Sequence, residues 1–232
     1  MTITASAKPN RSEGLLVAQQ ERAERTRTAI LDAAAQVFDE GGFFGAKLSE
    51  ILQRAGVTKG ALYFHFQSKE EIAQAIIGEQ FGVWDPISEI GTNGVQAVID
   101  LTQAMARSLQ RDVRVRASIR LVIEQGTFAS PATGAYQGWI NVVEACLVHA
   151  QDKGDLKTDV SPHDLATYVI GSFTGVQVSS EVLTGREDVV QRVTNMWRFL
   201  LPGVVPPRRL GKFDPAGSNQ DDAALVGLST TS

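Results

Sequence analysis

The chain has 232 residues, 43% hydrophobic and 21% charged, which is the balance of a globular protein with room for one or two domains and a core of its own. Its net charge of −4 excludes a uniformly basic nucleic-acid binder, so any DNA-binding surface must be a local patch on an acidic molecule. A single cysteine, Cys146, excludes an intrachain disulfide and fits a reducing, cytoplasmic setting. The first residues lack the basic-then-apolar order of a secretory signal, and no apolar run reaches the ~20 residues of a membrane span, so no membrane partner is expected.

Residues 1–20 mix small and polar types without a period and are expected to form a flexible arm. From Arg22 the pattern turns helical: Ile30, Leu31, Ala34, Val37 and Phe38 recur at spacings of three and four, and Gly41-Gly42 stops the run. A short helix follows with Leu48, Ile51, Leu52 and Ala55 inward. Gly56-Val57-Thr58 is a tight break ending in a good N-cap, and Lys59 to Phe66 is a third short helix. Ser68-Lys69-Glu70-Glu71 reads as a capping box. It opens a longer helix through Ile72, Ala75, Ile76 and Trp84, ended or bent by Pro86 and the glycines at 91 and 94.

Five more helical patterns follow. Val95, Val98, Ile99, Thr102, Met105 and Leu109 mark one; an arginine-rich segment from about Val113 to Glu124 marks the next; Tyr136, Trp139, Ile140, Val143 and Leu147 mark a third. Ser161-Pro162-His163-Asp164 is a start signal made of cap, first-turn proline and first-turn acid. The helix it opens carries Leu165, Val169, Phe173 and Val176. The last carries Val189, Val193, Met196, Trp197 and Leu200, with Pro202, Pro206 and Pro207 to end it. The tail from Arg208 is rich in Gly, Ser and Asp, a composition that predicts disorder. The fold class is therefore all-α. Its predicted divisions are an arm at 1–20, a helix-turn-helix domain at 21–67, a second helical domain at 68–207, to which the family resemblance described below assigns ligand binding and dimerisation, and a tail at 208–232.

Residues 42–66 read as helix, turn, helix. The second helix of such a unit enters the DNA major groove, and its N-terminal residues meet bases and phosphates. Thr58 and Lys59 stand at its start. Gly60 removes a side chain where a phosphate backbone would come close. Tyr63 and His65 can donate hydrogen bonds from the outer face, while Leu62 and Phe66 turn inward. Free N–H groups and the positive dipole end favour phosphate at the helix start, and Lys69, opening the next helix, is placed to do the same.

The run Gly56-Val-Thr-Lys-Gly-Ala-Leu-Tyr-Phe-His-Phe-Gln-Ser-Lys-Glu70 resembles the signature of the TetR family of bacterial one-component repressors. Ile30-Leu-Asp-Ala-Ala and Leu48-Ser-Glu-Ile extend the likeness over roughly residues 22–84. The form Val-Thr-Lys-Gly-Ala-Leu-Tyr-Phe-His-Phe, with Trp139 in a later helix, is similar to the γ-butyrolactone receptor branch: autoregulator receptors that control antibiotic biosynthesis. The resemblance implies an Ω-shaped homodimer on palindromic double-stranded operator DNA, with no cofactor, no metal and no catalytic residue. The last two helices of each subunit would bury their apolar stripes against the partner. It also implies DNA contacts at Ser49, Thr58, Lys59, Gly60, Tyr63, His65 and Lys69. The chain departs from the family at Lys47, where threonine usually caps the second helix. The cap is expected to be lost, at about 1 kcal/mol, with Lys47 free to meet a phosphate.

On the ligand side, Trp139 matches a tryptophan that lines the butyrolactone pocket of the receptor branch, and its indole supplies apolar area with one N–H donor. Thr174 could hydrogen-bond a lactone carbonyl or hydroxyl, and Gln125 is a further candidate. Val98, Met105, Val122 and Val143 could wall an apolar tunnel. Coupling to the head would run through the long helix from Ser68 to about Trp84. Each residue also has a plainer reading: Trp139 as core, Thr174 bonded to its own helix, His65 as a surface histidine, and the arginines from Arg107 to Arg120 as a solvated face. Cys146 and His149 stand three apart on one helix, a spacing too common to signal a nucleophile and base. The rival function on the same fold is a drug- or metabolite-sensing repressor of an efflux or catabolic gene, whose pocket should carry scattered polar or acidic groups.

Overall fold

The computed structural model describes residues 11–82, 94–124 and 134–218. Nine α-helices and one 3₁₀ turn make up the regular structure of the described residues, with no strand among them. In chain order they are α1 (Arg11–Gly45), α2 (Leu48–Ala55), α3 (Lys59–His65), α4 (Lys69–Gly82), α5 (Val95–Arg111), α6 (Val113–Glu124), α7 (Gly134–Asp152), α8 (Pro162–Thr184), α9 (Val189–Val204) and the turn Pro207–Lys212.

The periodicity of α1 is that of a helix buried along one stripe: Ile30, Leu31, Ala34, Val37 and Phe38 are all buried. They meet Ile51 of α2, Leu62 of α3, Phe66, and Ile72 and Ile76 of α4, which together close the core of the head. In the C-terminal half Val98, Leu109, Val143, Leu147, Val169 and Val193 form the interior. There Trp197 donates its indole N–H to Thr102 Oγ1 at 2.8 Å, so a buried polar edge is satisfied inside an apolar layer.

Both ends of the chain are more regular than their composition suggests. Helix α1 already begins at Arg11, so residues 11–20, expected as an arm, are helical; residues 1–10 lie outside the described residues. The expected disordered tail is ordered as far as Ser218. Asp100 on α5 accepts from Ser218 N–H at 2.7 Å, Gln96 accepts from Asp214 N–H, and Gln103 donates to Pro215 O. Polar side chains of α5 hold this segment, so no apolar pattern announces it. Pro202 falls inside α9 rather than ending it. The carbonyls of Pro202 and Gly203 accept from Lys157 Nζ at 3.0 and 2.8 Å, which caps the helix from outside.

The sequence leads one to expect a solvated face on the arginine-rich segment. Instead, α6 packs along α1 and its arginines grip that helix. Arg114 meets Asp32 and Glu79 at 2.7 Å each. Arg116 meets Asp39 at 2.8 Å, and Arg120 donates to the Asp39 carbonyl at 2.6 Å. The acids that answer these arginines lie 35 to 82 positions away, which is why a window of neighbouring residues misses them.

Candidate functional site

Two places combine exposed or enclosed space with suitable chemistry. The first is the outer face of α3. Gly56 takes a left-handed φ of 64° and closes α2, a conformation that costs glycine least. The chain then turns into α3, where Thr58 caps by accepting from Ala61 N–H at 3.2 Å. Leu62 and Phe66 point into the core, which leaves Lys59, Gly60, Tyr63 and Phe64 facing outward. A Cβ at Gly60 would meet nothing nearer than Thr58 Oγ1 at 4.0 Å. The fold itself therefore does not need a glycine there, and the close approach it permits is to something outside the chain. Lys59 Nζ lies 5.8 Å from the Tyr63 ring centroid, so ammonium and phenol form one exposed surface. Phe64, 77% exposed, joins them. Sequence reading passed over it, although its place opposite Leu62 on a 3.6-residue helix puts it on the same face.

The neighbouring candidates divide. Ser49 is exposed in the first turn of α2. Lys47 occupies the N-cap of α2 in extended conformation with no side-chain cap bond; its ammonium stands 4.0 Å from Glu50 and is exposed. His65 is half-buried and packs edge-on against Phe64. Lys69 turns inward. Its ammonium donates to the carbonyls of Phe43 at 2.7 Å and Ala46 at 3.0 Å and sits 4.3 Å from the Phe43 ring centroid. It thus ties the start of α4 to the end of α1 and fixes the frame that carries α3. The serine half of the expected capping box is in register, Ser68 Oγ accepting from Glu71 N–H; the return bond falls one residue earlier, the Glu71 carboxylate accepting from Gln67 N–H.

A joint beside the head is built with similar care. Gly42 breaks α1 at φ 64°, ψ −175°. A Cβ there would lie 2.6 Å from Glu124 Oε1. Glu124, at the end of α6, accepts from Phe43 N–H at 2.7 Å and from Arg120 Nε at 2.9 Å. The last residue of α6 therefore holds the backbone at the bend of α1.

The second place is a narrow, partly enclosed cavity among α5, α6, α7 and α8. Leu101, Met105, Ile119, Val143, Ile170 and Phe173 supply most of its wall, and no charged residue lines it among the described residues. Trp139 and Thr174 both line it; of the four expected wall residues Met105 and Val143 do, while Val98 and Val122 do not. Gln125 lies outside the described residues. The Trp139 ring packs edge-on against Tyr136 with centroids 5.1 Å apart. Tyr136 OH lies 3.4 Å from Thr174 Oγ1, and the Thr174 hydroxyl donates to Ile170 O at 2.9 Å. Tyr136 and Gln177 were missed. Gln177 continues the inward spacing of Leu165, Val169 and Phe173, and a glutamine on an apolar stripe is itself a signal.

Helices α8 and α9 are apolar on two sides. Part of the stripes expected to bury against a partner packs within the chain: Val169, Val193 and Trp197 are buried; the rest, Val176, Met196 and Leu200, lines an open groove with Tyr168 and Phe199. A second set, Tyr168, Val182, Leu183 and Phe199, stands exposed, Phe199 to 84%. Apolar residues on both faces blur the period that sequence reading relies on. Cys146 is buried, and burial pushes its thiol above the usual range, with a backbone hydrogen bond to Gly94 pulling the other way; this is the reverse of an activated nucleophile. No helix among the described residues is long and apolar enough to cross a membrane.

Residues 30–76 match the family described as bacterial regulatory proteins, tetR family, and residues 92–206 match the tetracyclin repressor-like C-terminal domain. The chain belongs to the TetR family. The A-factor receptor protein of Streptomyces griseus is 40% identical over 201 residues, covering 87% of this chain and 71% of that relative. Among solved structures, a gamma-butyrolactone receptor described as ArpA-like is 31% identical with a TM-score of 0.70, covering 85% of this chain and 96% of that one. CprB of Streptomyces coelicolor, solved with its biological operator sequence, is 33% identical with a TM-score of 0.72, covering 82% and 94%. This TetR-family chain is therefore a transcriptional repressor of the branch that holds the γ-butyrolactone receptors, a regulator and not an enzyme.

Proposed function

We propose that the protein is a cytoplasmic, homodimeric repressor that leaves its palindromic operator when a γ-butyrolactone or butenolide signal enters the cavity, and that the genes it controls serve antibiotic biosynthesis. The observation that carries the ligand class is the cavity wall. It is apolar, uncharged and punctuated by a few hydrogen-bonding groups, which suits a small neutral ring with an alkyl tail; each buried methylene would contribute about 0.8 kcal/mol. A sensor of cationic drugs or acidic metabolites would call for charged groups there.

On this reading α3 lies in the major groove. Lys59, Gly60, Tyr63 and Phe64 meet it directly, with Thr58, Ser49, Lys47 and His65 at the flanks. Lys69, with two of its three protons on carbonyls, positions the motif and has one proton left for phosphate. Trp139 and Thr174 hold the ligand. The exposed apolar face of α8 and α9 pairs with its copy in a second chain, placing two α3 helices for successive major grooves, about 34 Å apart. The ligand acts by favouring a dimer shape in which that spacing no longer fits.

The test is a gel shift with the DNA upstream of the protein's own gene, with and without a panel of γ-butyrolactones and butenolides. The expected result is a shift that one of them abolishes at low concentration. A shift that none disturbs keeps the repressor and overturns the ligand class.

A further inference from the structure

The polar groups around the cavity are not equivalent. Thr102 is fully used, donating to Ile99 O at 2.9 Å and accepting from the Trp197 indole. Thr174 spends its proton on Ile170 O. Gln177 is different: it is 2% exposed, lines the cavity, and its side-chain amide makes no hydrogen bond among the described residues. Gln103, buried as deeply, commits its amide nitrogen, donating to Thr194 Oγ1 and Pro215 O at 2.9 Å each, while its Oε1 has no partner among the described residues. Buried amides in folded proteins are paired, and one left unpaired destabilises the fold it sits in. An uncommitted amide facing an enclosed apolar space offers two donors and one acceptor to whatever enters.

We propose that Gln177 is the specificity-determining anchor of this cavity: it pairs with a hydroxyl on an uncharged ligand, and rejects molecules of the same size that lack that hydroxyl. The proposal rests on the cavity being the ligand site. A site built to bond an oxygen discriminates against its absence far more than an apolar wall discriminates between methylenes. No charged residue lines the cavity among the described residues, which favours a neutral ligand, since a buried carboxylate would lack a charged partner there.

The experiment compares the wild type with Gln177→Leu, a change that conserves volume and removes the amide. The probes are two matched pairs: an alkyl γ-butyrolactone with and without a chain hydroxyl, and phenol against toluene. Binding is read by the tryptophan fluorescence of the full-length protein, and the Tm of the unliganded protein is recorded. In the wild type the oxygenated member of each pair should bind at least tenfold more tightly. In Gln177→Leu that preference should vanish through loss of the oxygenated ligand alone, and the unliganded protein should melt higher because an unpaired amide has gone. Equal weakening of both members, or a lower Tm, would make Gln177 a packing residue and overturn the proposal. Failure of both lactones alongside a wild-type preference for phenol that Gln177→Leu abolishes would sink the lactone reading and leave the anchor standing. No preference in either pair would overturn the anchor.

Discussion

The head and the cavity solve recognition in opposite ways. The surface offered to DNA comes from a single short helix whose back is buried and whose front is left open: Leu62 and Phe66 are inside, Lys59, Gly60, Tyr63 and Phe64 outside. The cavity takes its wall from four helices, with residues from Leu101 to Gln177. Reading an operator requires a rigid face presented outward, which local sequence can encode. Reading a small molecule requires an enclosed volume, which exists only after distant helices meet. Helix α6 belongs to both. Ile119 lines the cavity, while Arg116, Arg120 and Glu124 on the same helix hold α1 at Asp39 and at the Gly42 bend. On the proposed function, a ligand in the cavity would act on the head through this helix as well as through α4.

The sharpest way to break the separation is at that joint. Gly42→Ala places a Cβ against the Glu124 carboxylate and strains a positive φ, a conformation that costs a non-glycine residue about 1–3 kcal/mol. In a chain of this size each kcal/mol lowers Tm by about 2–4 °C. Operator affinity should fall with it while ligand affinity holds, as titration of the two partners separately would read. Equal loss at both sites would mean that the joint only supports the fold. Next in size is Tyr63→Ala, expected to weaken operator binding by about 1–2 kcal/mol, roughly 5- to 30-fold, through one lost contact. The ligand affinity should not move. The mirror change, Thr174→Val, should weaken the ligand by about 1 kcal/mol and leave operator affinity in the absence of ligand unchanged, measured by fluorescence anisotropy. A cross-effect in either variant would show the two regions to be coupled in the ground state rather than by ligand.

How much could be read beforehand follows the same divide. The stripe of α1, the Thr58 cap and the inward turn of Leu62 and Phe66 depend on spacings of three and four, and all stand in the structure. Lys69 has contacts that no local spacing announces. Its place at a helix start suggests phosphate, but the carbonyls it meets belong to Phe43 and Ala46, more than twenty positions back. The arginines of α6 misled for the same reason, since their acids sit on α1 and α4. In the cavity Trp139 was named by likeness and Thr174 from its inward place on its helix, whereas Tyr136 and Gln177 needed the packing of α7 on α8 to appear. The outer face of α8 and α9 was legible in Val176, Met196 and Leu200, which line its groove, whereas Tyr168 and Phe199 beside them were not named.

The smallest effect tests the edge of the DNA surface, at the position where this chain departs from its family. Lys47 stands where a threonine would cap α2, and the helix starts with no side-chain cap bond. Lys47→Thr should restore the cap and, with Glu50 three residues on, a capping box, stabilising the protein by about 1 kcal/mol. If the exposed ammonium also neutralises a phosphate, its removal must flatten the dependence of log affinity on log salt by about 0.9. The two readouts are independent: one is a melting temperature, the other a slope. A higher Tm with a flatter slope makes Lys47 a DNA contact that the chain keeps at the expense of helix stability. A higher Tm with an unchanged slope confines the reading surface to α3 and its immediate flanks, which sharpens the contrast between a face one helix can present and a cavity that needs four.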